Sequence, residues 1–245
     1  MPIVTTRCVV LQTFRYSDTS KILRLMTREH GPRSAIARGA LRPRSRLAGL
    51  LEPFAEGRAT LYLKSNRDLH TLSDFELLHA RQELGSDLDR FSGASVLCEL
   101  VLRLAPEQAD QRLYEALTGG LDALLAASVP VVPSVALGRI WRLVAVLGFA
   151  PALDLCLECG RPIASGEPGR FDCASGGVRC ESCSQVGALL SGAELTKLRA
   201  LAGGGDGAGD VTDRQVTLVA DFIRHHLAEG VRLRSLDFLG LGRVR

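Results

Sequence analysis

The chain has 245 residues, 46% hydrophobic and 23% charged, enough apolar material for a sizeable core in one to three domains and too much for wholesale disorder. No apolar run reaches a membrane-spanning length of about 20 residues, the N-terminus lacks a signal peptide's charged start and apolar stretch, and seven cysteines, an odd number, fit a reducing compartment better than secretion. The expected location is therefore the cytoplasm. The net charge of +3 divides unevenly: residues 1–82 carry 14 Lys+Arg against 7 Asp+Glu, and residues 83–245 carry 16 against 20. A net of +7 against −4 marks the N-terminal part as the candidate surface for an anionic partner and puts a boundary near residue 82.

In chain order, the first 80 residues read as short strands with turn punctuation: Val4 to Phe14, Lys21 to Thr27, Arg33 to Arg38, Ala55 to Lys64 and Leu69 to Glu76. Ser17-Asp18, His30-Gly31-Pro32, a loop from Gly39 to Gly49 and Ser65-Asn66-Arg67 separate them. Five short strands with nothing helical between them suggest a small closed barrel such as the OB-fold. An SH3-like barrel or a half-sandwich gives a similar pattern, and periodicity alone does not separate the three.

From about Ser86 the period becomes helical. Leu88, Phe91, Val96, Leu97, Leu100, Val101 and Leu104 recur at helical spacing until Pro106 ends the run, and Leu113, Leu117, Leu121, Leu124 and Leu125 mark a second helix. A third is expected from about Ser134, after Pro133, to Leu147, ending at Gly148. Helix resumes at Ser191-Gly192-Ala193-Glu194, which has capping-box spacing. Gly203-Gly204-Gly205-Asp206-Gly207 reads as a plain break because no Gly-Lys-Ser/Thr follows it, and a last helix is expected over Thr212 to Glu229.

Between the third helix and that restart stand two C-x-x-C pairs, Cys156-Leu157-Glu158-Cys159 and Cys180-Glu181-Ser182-Cys183, 20 residues apart. Each pair brings two thiolates to one ion, and four thiolates complete a closed tetrahedron suited to structural zinc. Gly160 follows the first knuckle, and Gly176-Gly177 turn the chain between strand-like Phe171 and Val178, so the segment reads as a zinc ribbon. A redox reading is weaker, since no βαβ pattern surrounds the pairs. Cys173, expected on the strand before the turn, is a bystander; Cys8 and Cys98 lie in apolar runs and read as buried hydrophobes. A four-sulfur site leaves no open position, so such a metal staples the fold and does not catalyse.

Arg24, Arg28, Arg33, Arg38, Arg42, Arg44 and Arg46 form a basic run opposed only by Glu29. The guanidinium suits phosphate by bidentate bonding and permanent charge. Four of these arginines fall within Arg38–Arg46, on a loop that a rigid barrel could hold against a nucleic-acid backbone. Phe14, Tyr16, Phe54 and Tyr62 are candidate base-stacking platforms, although each also suits a small barrel's core. A solvated cationic face is the plainer alternative. His30, His70, His79, His225 and His226 fall in no metal or nucleophile motif, there is no Gly-x-Ser-x-Gly, H-E-x-x-H or P-loop, and the chain is read as a non-enzyme.

Tyr16-Ser17-Asp18, Lys21-Ile22, Leu25-Met26-Thr27-Arg28-Glu29-His30-Gly31, Ala37-Arg38-Gly39-Ala40, Ser45-Arg46 and Glu52-Pro53-Phe54 together resemble the RecO family of bacterial recombination mediators. Trp141-Arg142-Leu143, Leu147-Gly148-Phe149-Ala150-Pro151 running into Cys156-Leu157-Glu158-Cys159-Gly160, Gly176-Gly177 and Ser235-Leu236-Asp237-Phe238-Leu239 extend the resemblance over nearly the whole chain. It implies an α+β multidomain fold: an N-terminal OB-fold barrel over 1–82, a helical domain over 83–150 and 187–245, and an inserted zinc ribbon over 151–186. It further implies binding of single- and double-stranded DNA, annealing of complementary strands, and loading of recombinase on coated single strands in the RecF pathway. RecR is the implied partner, with RecF and the acidic tail of single-strand-binding protein beside it, and the bacterial nucleoid is the implied location. The family's basic-loop pattern carries over to Arg38, Ser45 and Arg46, with Lys21 and Arg33 nearby; with Arg42 and Arg44 these are the candidate DNA-contacting residues. An RNA-directed translation or ribosome-assembly factor is the alternative. A peptide-binding adaptor using Trp141-Arg142 as part of a groove is a third reading, with plain helix core the simpler account of those two residues.

Overall fold

β1 (Ile3–Arg15), β2 (Lys21–Thr27), β3 (Gly31–Ala37), β4 (Glu56–Tyr62) and β5 (Leu69–His79) close into a barrel in the order β1-β2-β3-β5-β4, as the OB-fold reading expects. The structure, a computed structural model, describes residues 2–63, 67–183, 185–205, 210–227 and 232–239. The expected strand end at Lys64, the turn residues Ser65-Asn66, Asp206-Gly207 of the glycine-rich break and Ala228-Glu229 of the last helix lie outside the described residues.

Closure depends on β1, whose 13 residues serve two neighbours. Ile3–Val9 pair with β4 and Cys8–Arg15 with β2, and a register shift between Val10 and Gln12 bends the strand between these duties. The last seam is parallel, Ser34 opposite Leu69 through Ala37 opposite Leu72. Cys8, Val10, Leu23, Leu25, Ala35, Ala37, Ala59, Leu61 and Phe75 fill the interior; the alanines keep it narrow enough to pack without a ligand cavity. β2 and β3 are joined through Gly31, whose φ of 68° lies in the left-handed region and whose missing side chain leaves room for the Glu107 carbonyl, 2.6 Å from where a Cβ would stand.

α1 (Leu88–Leu104), α2 (Gln111–Ala126), α3 (Val132–Val146), α4 (Gly192–Ala202) and α5 (Asp213–His226) follow. The chain forms two compact units, Met1–Asp87 with Leu97–Leu125 and Leu88–Val96 with Ala126–Arg245. In the first, α2 is tied to the barrel by a buried polar cluster. Arg81, whose side chain is 1% exposed, donates to Asp122 Oδ1 at 2.7 Å, Glu56 Oε2 at 2.7 Å and the Phe54 carbonyl at 3.1 Å. The Tyr114 hydroxyl donates to the other Glu56 oxygen at 3.0 Å. Burial pushes the Tyr114 hydroxyl's pKa up, and the Glu56 carboxylate adds to this.

In the second unit α3 begins at Val132, earlier than the sequence reading placed it. Pro133 stands in the first turn, where its missing N–H costs nothing, rather than before the helix. Ser191 and Glu194 form the expected capping box on α4, and Thr212 and Gln215 form a second on α5. Trp141 and Phe222 meet edge to face at 5.0 Å, and Phe222 stacks on Phe171 at 6.1 Å. Trp141, 1% exposed, is therefore core and not part of a peptide groove. Val129–Val146 is long and apolar enough to cross a membrane by length and composition alone; its Val132, Ile140, Trp141, Leu143 and Val144 are buried within the protein, as in a core helix.

A four-thiolate centre and a basic barrel surface

The ribbon is a three-stranded sheet in the order β7-β6-β8, made of β6 (Gly169–Asp172), β7 (Gly177–Arg179) and β8 (Ala188–Leu190). Phe171 and Val178 pair across its hairpin as expected; β8, three residues long, gave no signal in the sequence. Each knuckle is a tight turn. Gly160 N donates to the Cys156 carbonyl at 2.9 Å, with Gly160 at φ 71°, and Cys183 N donates to the Cys180 carbonyl at 3.1 Å. The knuckles are held together because Leu157 N donates to the Val178 carbonyl at 3.0 Å and Cys180 N to Cys156 Sγ at 3.3 Å.

The four sulfurs of Cys156, Cys159, Cys180 and Cys183 all lie within 4.8 Å of one another. Ligands 2.3 Å from a tetrahedral centre stand roughly 3.8 Å apart, so the set fits one metal ion with a small contraction. Burial alone would raise the Cys156 thiol, but N–H groups of Cys159, Cys180 and Glu158 directed at it outweigh this and bring its pKa down to about 6. The Arg161 guanidinium beside Cys180 likewise holds that thiol below its ordinary range. Arg161 is itself braced by Glu167, whose carboxylate also accepts from Ala164 N at 3.1 Å. The surroundings thus favour the thiolate, the form a metal requires, at Cys156 and Cys180, whereas the neighbouring Cys180 and Cys159 sulfurs push Cys183 up to about 12.

Cys173 stands outside the set. It lies in the turn after β6 ends at Asp172, not on the strand, with Sγ 3.9 Å from the Leu218 carbonyl of α5 and its pKa pushed up to about 11 by burial. Cys8 and Cys98 are fully or nearly buried, with pKa values raised to about 12 by the same cause.

On the barrel, the loop after β3 is a succession of tight turns, closed by Arg42 N to the Gly39 carbonyl, Ser45 N to Arg42 and Ala48 N to Ser45. Ala40 and Leu51 are buried in the barrel core, and Leu47 and Leu50 pack against it. Leu41 N donates to the Thr19 carbonyl at 3.0 Å, tying the loop to the β1–β2 turn. These anchors leave Arg38, Arg42, Arg44 and Arg46 exposed on a fixed base.

The candidate residues fall into two sets. Lys21, 16% exposed, donates to Glu52 at 2.8 Å; Arg33 bonds the carbonyls of Pro32 and Glu107 at 2.6 and 3.3 Å; Arg46 faces Asp74 at 3.4 Å; and Ser45 Oγ accepts from Leu47 N at 3.2 Å. Arg28, also in the run, is 3.8 Å from Glu115. Arg38, Arg42 and Arg44, by contrast, have no carboxylate partner among the described residues. Of the candidate platforms, Phe54 is core, 6% exposed with φ 73°, whereas Phe14, Tyr16 and Tyr62 are exposed, Tyr16 at 61%.

Tyr16, Arg38 and Arg42 line one open cleft of about 450 Å³ with Arg67. Arg67 was missed because the sequence showed it only as part of a turn; the parallel seam brings the start of β5 beside β3. Its charge, inside a short polar break, was the one available signal.

The described architecture meets its match in known families. Residues 1–81 match the family model described as Recombination protein O N terminal and residues 85–237 the one described as Recombination protein O C terminal. The DNA repair protein RecO of Nocardioides sp. is 32% identical over 91% of this chain and 94% of its own length. That of Anaeromyxobacter sp. (strain K) is 34% identical over 94% of this chain and 93% of its own. The Symbiobacterium thermophilum protein of the same name is 37% identical over 73% of this chain and 70% of its own length. With both halves matched in order and full-length relatives above 30% identity, the chain belongs to the Recombination protein O family of DNA repair proteins.

Proposed function

We propose that the chain is a non-enzymatic recombination mediator that binds single- and double-stranded DNA through residues 1–82 and anneals complementary strands. With RecR it helps load recombinase on coated single strands in the RecF pathway, with RecF and the acidic tail of single-strand-binding protein as further contacts, in the bacterial cytoplasm at the nucleoid. The observation that carries this reading is the set Arg38, Arg42 and Arg44: exposed on a braced loop and without carboxylate partners among the described residues. Annealing needs two polyanions brought together with their base edges left free, and guanidinium groups directed at phosphate neutralise charge without reading sequence. Lys21, Arg33, Ser45 and Arg46, engaged within the protein, would shape the surface and contribute more weakly.

The four thiolates would hold zinc, the ion that a closed four-sulfur set of C-x-x-C pairs suits. Bound there it supplies a cross-link between the two knuckles and no open coordination position. The chain's own residues do the rest: N–H donors favour the thiolate form of Cys156, and Arg199 fastens the ribbon to α4 through the Leu153 and Ile163 carbonyls, both at 2.8 Å.

The test is the combined substitution Arg38→Glu, Arg42→Glu and Arg44→Glu. Affinity for single-stranded DNA should fall by about 100-fold or more at low salt, with circular dichroism and metal content unchanged. Undiminished affinity in a folded triple variant would remove this surface from the account, and a clear preference of the unmodified protein for structured RNA would favour the translation-factor alternative.

A further inference from the structure

The cleft bearing Tyr16, Arg38, Arg42 and Arg67 is not isolated. A second open cleft, of about 630 Å³, lies on the same barrel and is lined by Arg24, Arg33, Ser34 and Arg67 among others. Arg67 belongs to both linings. The pairing explains why. β3 lies between β2 and β5, with Arg24 opposite Ser34 on one side and Ser34 opposite Leu69 on the other, and Arg67 just precedes Leu69. Arg24 also donates to the Ser34 hydroxyl, which fixes its guanidinium over the strand. Arg33 lies near the start of β3 and Arg38 just past its end, five residues or about 17 Å apart along an extended chain. Two carboxylates, Asp68 and Glu107, line the second cleft against three arginines there; none lines the first.

Resting on the nucleic-acid reading of the barrel, we propose that the two clefts form one continuous path for a single strand along β3. Arg67 is the phosphate contact shared by its two halves, and Tyr16 is the residue that distinguishes single strands from duplex. An exposed phenol ring in a cleft lined by three guanidinium groups and no carboxylate offers a face to any base that is not already stacked and paired. A duplex presents only phosphates to the same spot, since its bases are stacked on each other. Tyr16 therefore contributes to single-strand affinity alone, whereas Arg67 contributes to the salt dependence of single-strand binding.

The experiment uses the full chain and two labelled probes, an oligothymidylate strand and a duplex of equal length, by fluorescence anisotropy at several salt concentrations. Tyr16→Ala should weaken single-strand binding about 5- to 150-fold, as loss of one stacked base does, and leave duplex binding within about twofold. Tyr16→Phe, which keeps the ring, should restore single-strand binding. Arg67→Ala should make the slope of log K against log salt shallower by about 0.7 for the single strand. Equal losses on both probes in Tyr16→Ala, no loss on either, failure of the Phe variant to restore binding, or an unchanged slope in Arg67→Ala would overturn the path. Absence of binding by the unmodified protein would instead overturn the parent reading of the barrel.

Discussion

At the scale of single residues the chain separates groups that face solvent from groups that hold the fold. The thiol set was legible in the sequence because its spacing is local: two residues between ligands make each knuckle, whatever the rest of the fold does. The acids that meet Lys21, Arg28 and Arg46 were not legible, since Glu52, Glu115 and Asp74 reach them only after folding. A run that looks uniformly basic on paper is in space a partly neutralised surface: Arg28 and Arg46 meet carboxylates, Arg24 and Arg33 bond a hydroxyl and carbonyls, and Arg38, Arg42 and Arg44 have no carboxylate partner among the described residues. The zinc account makes a direct prediction. Purified protein should carry about one zinc per chain by elemental analysis, and Cys180→Ser should lose most of it and expose the ribbon to protease. Full zinc content in that variant would show that the ion sits elsewhere.

Elements reveal where local signals suffice and where packing overrides them. All five strands were readable to within a few residues, because alternation and turn residues are properties of short windows. The short β8 carries too little pattern, and Pro133, which reads as a boundary in the sequence, is a first-turn residue of α3. Nothing in the sequence marked Arg81, whose left-handed backbone and three-way hydrogen bonding fix the barrel to α2. Replacing Arg81 by Met should destabilise the protein by about 3–5 kcal/mol in denaturant unfolding, because Glu56 would stay buried without its countercharge. Adding Glu56→Leu should recover part of that loss; a single variant as stable as the unmodified protein would contradict this role.

Acid sensitivity belongs to the same scale. Ser175 and Arg179 hold the Asp172 carboxyl below its ordinary 3.8, and hydrogen bonds from Ser191 do the same for Glu194, whose ordinary value is 4.5. Lowered folded-state values mean that their contributions are fully present above the unfolded values and are lost as pH falls through the folded ones. Stability from these two groups should thus be flat from pH 7 to about 5 and decline below about 4. Substituting Asp172→Asn and Glu194→Gln should flatten that acid limb.

For the whole molecule, the division of charge follows the division of structure: a basic barrel in one part of the chain, and helices with a four-thiol cluster in the other. What the sequence could not show is the parallel β3–β5 seam, a non-local pairing that brings Arg67 into one cleft with Arg24 and Arg33 and into another with Arg38 and Arg42. That gathering is the physical basis for reading the barrel as a phosphate-binding surface. The most direct test is a salt titration of binding to a labelled single strand of about 30 nucleotides, a length beyond one barrel's reach, followed by addition of the complementary strand. The account predicts that log K falls linearly with log salt with a slope of about −2 or steeper, three or more phosphates at ~0.7 each, and that the complement then anneals faster than without protein. Binding that is absent at low salt, or indifferent to salt, would contradict it.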